Sequence, residues 1–222
     1  MAASPSSASA RLYERARKVL PGGNTRTTVF TAPHPLYARS GEGCRLTDVD
    51  GVERLDFINN YTALIHGHGH PAILAAVQEQ LARGTCFANP TESEIALAEE
   101  LCARVPSFER VRFANSGTEA VMTAVKAARA HTGRPKIAKC EGLYHGSYDP
   151  VETSLDSTPE TWGGAAPAAT AYSHGTPPGV LADVVVLPFN DTDAARARLE
   201  AHAHELAAVL VDPLPNRAGL IP

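Results

Sequence analysis

The chain has 222 residues, 44% of them hydrophobic and 20% charged, with a formal net charge of −4. That balance belongs to an ordinary globular protein and excludes a disordered tail, a collagen-like fibre or a coiled coil. It offers no basic field for nucleic acid and no apolar run long enough to span a bilayer, so neither nucleic acid nor membrane is an expected partner.

The start is Ser-rich without the apolar core of a secretory signal. A first helix is predicted over residues 8–20, with Leu12, Ala16 and Leu20 at four-residue spacing and a stop at Pro21 and Gly22. Its Arg11, Arg15, Arg17 and Lys18 read as an amphipathic surface helix rather than a transit peptide. Short strands follow at 36–38, 44–47 and 54–58, the last two separated by the turn of Asp48, Val49, Asp50 and Gly51. Pro71 opens a second helix with Ile73, Leu74, Val77 and Leu81 on one face. A third follows the T-E-S-E box at Thr91 and is expected to bury Ile95, Ala98 and Leu101. From there the rhythm becomes strand and helix in alternation: strand 111–114, helix 117–131, strands 136–140 and 183–187, helix 192–204, strand 207–211. Alternation of this kind predicts an α/β fold with a parallel sheet. Residues 154–179 have no usable period and read as a long surface or active-site loop. Two parts result: residues 1–84, a small segment of helix, short antiparallel strands and helix, and residues 85–222, the beginning of an α/β domain that stops soon after a strand. The four cysteines, Cys44, Cys86, Cys102 and Cys140, lie far apart with no C-x-x-C pair, as in a reduced cytoplasmic protein.

Two stretches carry chemistry. At Asn115, Ser116, Gly117, Thr118 and Glu119 a strand passes through a small polar turn into a helix. Such a junction presents free N–H groups and the positive end of the helix dipole to an anion. Ser116 and Glu119 also satisfy a capping box, so local capping alone accounts equally well for the pattern. At Gly142, Leu143, Tyr144, His145 and Gly146 a Gly-flanked turn follows the strand 136–140, where open parallel sheets bind ligands. Tyr144 there can stack on a planar ring. His66, His68 and His70 alternate as metal ligands on a strand would, but no fourth ligand is near, so no metal is expected. Lys126, Lys136 and Lys139 are read as surface residues.

Together, N-S-G-T-E-A at 115–120 and G-L-Y-H-G at 142–146 resemble the class III pyridoxal-phosphate-dependent aminotransferases of fold type I. The resemblance is strongest to the branch of glutamate-1-semialdehyde aminomutase and the β-amino-acid aminotransferases. It extends in order through L-P-G-G-N-T-R at 20–26, D-V-D-G at 48–51, G-H-G-H-P at 67–71 and V-D-P at 211–213.

The resemblance implies that Ser116, Gly117 and Thr118 hold the phosphate of pyridoxal 5'-phosphate, with Tyr144 on the ring and His145 beside it. It implies a carboxylate-binding role for Arg26, whose planar guanidinium grips a carboxylate bidentately. Asp212 stands where the family usually has glutamate, and Arg217 where it has asparagine or an acidic residue. Arg217 is expected to face the substrate and favour an acidic one. The family's Schiff-base lysine and the aspartate on the pyridine nitrogen are expected beyond Pro222, so no catalytic residue is assigned within the chain, which is expected to be an inactive N-terminal half. The implied activity is amino-group transfer between an amino acid and a keto acid, in a homodimer. The alternatives are intramolecular transfer as in the aminomutase, or a non-catalytic binding subunit.

Overall fold

The computed structural model describes residues 7–26, 28, 30–161 and 166–222. The chain divides into two compact units, Met1–Ile95 and Ala96–Pro222.

In the first unit, helix α1 (Ala8–Ala16) begins at Ser7, whose hydroxyl accepts from the Ala10 N–H. It is shorter than its period predicts, because the chain tightens into turns after Ala16 and leaves Val19 77% exposed. An antiparallel meander of β1 (Ala38–Glu42), β2 (Arg45–Asp48) and β3 (Glu53–Leu55) follows. The first strand starts two residues later than the sequence pattern indicates. The β2–β3 turn is built on the buried Asp48 carboxylate, which accepts from the N–H groups of Asp50 and Val52. Burial alone raises the pKa of Asp48, but the Val52 N–H and the Arg54 guanidinium outweigh it and hold the carboxyl below the usual range. Asp50, next along, accepts from Ala8 and Ser9 and so fastens the start of α1 to the meander, an anion at a helix N-terminus.

A single turn α2 (Asn59–Thr62) and the helices α3 (Pro71–Leu81) and α4 (Glu92–Arg104) come next. At Thr91 half of the box forms, the hydroxyl accepting from the Glu94 N–H. Ile95 nevertheless stands 56% exposed, and the α3 stripe of Ile73, Leu74, Val77 and Leu81 is 47–57% exposed. An apolar stripe specifies a face that wants cover; neither helix packs extensively against another element, so that cover is missing among the described residues.

The second unit is a parallel sheet in the order β5 (Val184–Leu187), β4 (Lys136–Cys140), β6 (Leu206–Leu210). Residues 111–114, expected as a strand, join no ladder among the described residues; strand propensity becomes a strand only where a partner accepts its backbone. Helix α5 (Gly117–Thr132) and the short α6 (Asp149–Glu152) cover one face of the sheet, where Val125, Ile137, Val151, Val184 and Val186 form a core. A second cluster, Ala138, Val185 and Leu187, receives Ala195 and Leu199 of α8 (Thr192–His202) on the other face. All four residues of β5 are buried, as covering both faces of a parallel sheet requires. The long loop predicted at 154–179 is largely irregular and closes in a short helix α7 (Pro178–Ala182).

Ile137 is fully buried between α5 and the sheet, and shortening it leaves a void there. Ile137→Ala is expected to lower the unfolding free energy by about 3 kcal/mol in urea denaturation.

Candidate cofactor site

The two chemistry-bearing stretches meet. Ser116 caps α5, its hydroxyl accepting from the Glu119 N–H at 3.2 Å while the Glu119 carboxylate accepts from the Asn115 N–H at 2.7 Å. This capping satisfies part of the helix start and leaves the N–H groups of Gly117 and Thr118 without an intrahelical partner. A Cβ on Gly117 would meet nothing within 4 Å, so the helix mouth is open. The Thr118 hydroxyl accepts from the Ser147 N–H at 3.0 Å, which pins the turn after β4 to the helix N-terminus. Gly146 lies between them with φ +99°, and a Cβ there would stand 2.9 Å from both Cα and Oγ1 of Thr118. Only glycine fits this approach.

Tyr144 stands half exposed beside this junction, whereas Leu143 is buried and anchors the turn. The Nε2 atom of His145 is buried with no hydrogen-bond partner. Burial, with the nearby Lys139 cation, depresses the imidazole pKa, while Asp212 opposes the shift. A neutral ring with one buried unsatisfied nitrogen is suited to meet a polar group that the chain itself does not supply. An open helix N-terminus, an exposed aromatic ring and an orphaned imidazole nitrogen thus fit a phosphorylated planar cofactor.

Lys139 and Arg217 both bear on this turn, and the first of them differs from expectation. Lys139, read as a surface lysine, is wholly buried, and its ammonium donates to the Thr153 carbonyl at 2.7 Å. Its parity is that of Ile137 in a central strand, and this was the available signal. Burial lowers its pKa to about 8; Cys140 and Glu141 oppose the shift and Arg217 reinforces it. Arg217 sits on a 3-10 turn (Asn216–Ala218) and donates to the carbonyls of Gly142 at 3.2 Å and Leu155 at 3.4 Å. It also pairs with Asp156, a residue that no sequence pattern singles out.

In the first unit, Arg26 donates to Asn60 Oδ1 at 2.9 Å and lies 5.6 Å from the centroid of the Tyr61 ring. The Tyr61 hydroxyl bonds in turn to Thr28. Asn59, Asn60, Tyr61 and Thr62 all have positive φ, an uncommon left-handed turn that Thr62, β-branched, adopts only under constraint. Of the three alternating histidines, His68 donates to Asp56 at 2.7 Å and packs where a Cβ on Gly41 would be, while the rings of His66 and His70 lie 5.3 Å apart. Among the described residues no three His, Cys, Asp or Glu side chains form a metal-binding group.

The open helix mouth thus lies against a Gly-flanked Tyr-His turn on an α/β scaffold. A family model, aminotransferase class-III, matches residues 29–222, and the chain belongs to that family. It is 44% identical over 213 residues to a glutamate-1-semialdehyde 2,1-aminomutase of Methanothermobacter thermautotrophicus, covering 96% of this chain and 49% of that protein. The crystal structure of an omega-transaminase from Sphaerobacter thermophilus superimposes with a TM-score of 0.95 at 62% identity, over 98% of this chain and 50% of that one. A transaminase with PLP bound superimposes with a TM-score of 0.90 at 53% identity, over 96% of this chain and 49% of that one. The chain spans about half the length of the curated relatives it matches.

Between pH about 8 and 10.5 the unfolded chain holds the Lys139 proton more firmly than the folded one, so this residue makes stability rise with pH across that window. In denaturation series at several pH values, Lys139→Met is expected to remove that rise; parallel curves for the two proteins would contradict it.

Proposed function

We propose that this chain forms the cofactor-binding part of an enzyme that transfers an amino group from an amino acid to a keto acid, using pyridoxal 5'-phosphate. The observation that carries the reading is the docking of Gly146 on Thr118, which puts the open start of α5 next to Tyr144 and His145. The N–H groups of Gly117 and Thr118, with the Ser116 and Thr118 hydroxyls, would hold the phosphate. Tyr144 would lie on the ring, and the free nitrogen of His145 would meet one of its polar substituents. When bound, the cofactor supplies an electron sink for a carbanion next to the amino nitrogen. Arg26 would bind the substrate carboxylate, oriented by Asn60 and Tyr61.

Transfer between two molecules is favoured over transfer within one by the higher identity to a solved transaminase, 62%, than to the curated aminomutase, 44%. A homodimer is supported by the bare apolar stripe of α3. A reducing, cytoplasmic setting is supported by Cys44, Cys86, Cys102 and Cys140 all being free. No helix among the described residues is long and apolar enough to cross a membrane.

Titration with pyridoxal 5'-phosphate, followed by its absorption, tests the site. Gly146→Ala must push the turn off Thr118 and is expected to weaken binding about tenfold or more, with unchanged helix content by circular dichroism. Equal binding by variant and wild type would refute the assignment. The reaction type is read from whether amino-group transfer requires an added 2-oxo acid, as intermolecular transfer does and the intramolecular alternative does not.

A further inference from the structure

We propose that Arg217 is a positioning residue that sets the turn bearing Tyr144 and His145 by fixing the Gly142 peptide. The proposal rests on the cofactor reading of that turn. Gly142 is the first bend after β4, with φ +72°, a left-handed conformation that L side chains rarely adopt. Its N–H donates to the Ser154 carbonyl at 2.8 Å and its carbonyl accepts from Arg217 Nε at 3.2 Å. Both hydrogen-bonding groups of the hinge are therefore held from other parts of the chain, two residues before Tyr144.

Each holder is itself anchored. Ser154 is fully buried, receives its own N–H partner in the Thr170 carbonyl at 2.8 Å, and donates its hydroxyl to the Ala168 carbonyl at 2.9 Å. Arg217 rides on a 3-10 turn that starts at the fully buried Pro215, where the Leu220 N–H returns to the Pro215 carbonyl at 3.0 Å. The guanidinium then spans Gly142, Leu155 and Asp156, segments 61 to 75 residues away along the chain. Only a planar, multidentate donor can serve three acceptors on two segments at once; an ammonium on a flexible stem holds one geometry less well. Lys139 secures the same layer one residue earlier, through Thr153. In this arrangement the Arg217 fork is committed to backbone carbonyls and Asp156, and its effect reaches the ligand through Tyr144.

The test uses the protein as produced from its own reading frame and measures the dissociation constant of pyridoxal 5'-phosphate, together with hydrogen exchange of residues 142–147 in the free protein. Arg217→Met is expected to raise that constant about fivefold, Arg217→Lys about threefold and Asp156→Asn about twofold, with faster exchange confined to 142–147. Because Arg217 acts through Tyr144, Arg217→Met should add less than about twofold in a Tyr144→Ala background. Unchanged cofactor affinity in Arg217→Met, or the full loss recurring in the Tyr144→Ala background, overturns the proposal. Unchanged affinity with an altered KM for a dicarboxylate donor would place Arg217 on the substrate instead. A wild-type protein that does not bind the cofactor overturns the cofactor reading, and the exchange data alone then judge the clamp.

Discussion

The site depends on one close approach, the backbone of Gly146 laid against Thr118 at the mouth of α5. A helix N-terminus attracts an anion wherever it is open, and a Gly-flanked turn can present an aromatic ring anywhere. What makes the two one site is that a hydrogen bond from Ser147 to the Thr118 hydroxyl holds them in register, and that no Cβ intervenes. The sheet enforces this from behind. β4 delivers the turn, its buried Ile137 and Ala138 lock the strand between two helical layers, and α5 packs on the same face as Ile137.

Beneath the turn lies a polar layer that is unusual for the inside of an α/β domain. Lys139, Ser154 and Thr153 are all buried, and each polar side chain is paired with backbone rather than with a counter-charge. Burying a lysine without a carboxylate is costly, and its lowered pKa is the visible consequence. The gain is rigidity in an irregular segment, 153–156, that would otherwise be a loose loop behind the Tyr144-His145 turn. A functional turn supported by buried polar contacts is held to a narrower range of geometry than one supported by apolar packing alone.

Much of this was legible in the residues. The alternation of strand and helix after residue 115 marked the parallel sheet, because apolar runs such as Val184–Leu187 have no other use than burial on both faces. Ser116 and Glu119 marked the start of α5, and the cap forms as their spacing requires. Three things were not legible. The strand expected at 111–114 depends on a partner, which propensity does not encode. The apolar face of α4 was read as buried because a stripe specifies what wants cover without saying what covers it. Lys139 looked like a surface residue because its partner, the Thr153 carbonyl, is contributed through tertiary contact.

The central claim is that the open end of α5 and the Tyr144-His145 turn bind one phosphorylated cofactor together. Amide chemical-shift mapping of the protein titrated with pyridoxal 5'-phosphate tests it most directly, with inorganic phosphate as a second probe. The account predicts that phosphate moves Gly117 and Thr118, and that the cofactor moves these together with Tyr144 and His145. Cofactor-induced shifts elsewhere, or shifts at one stretch without the other, would contradict it.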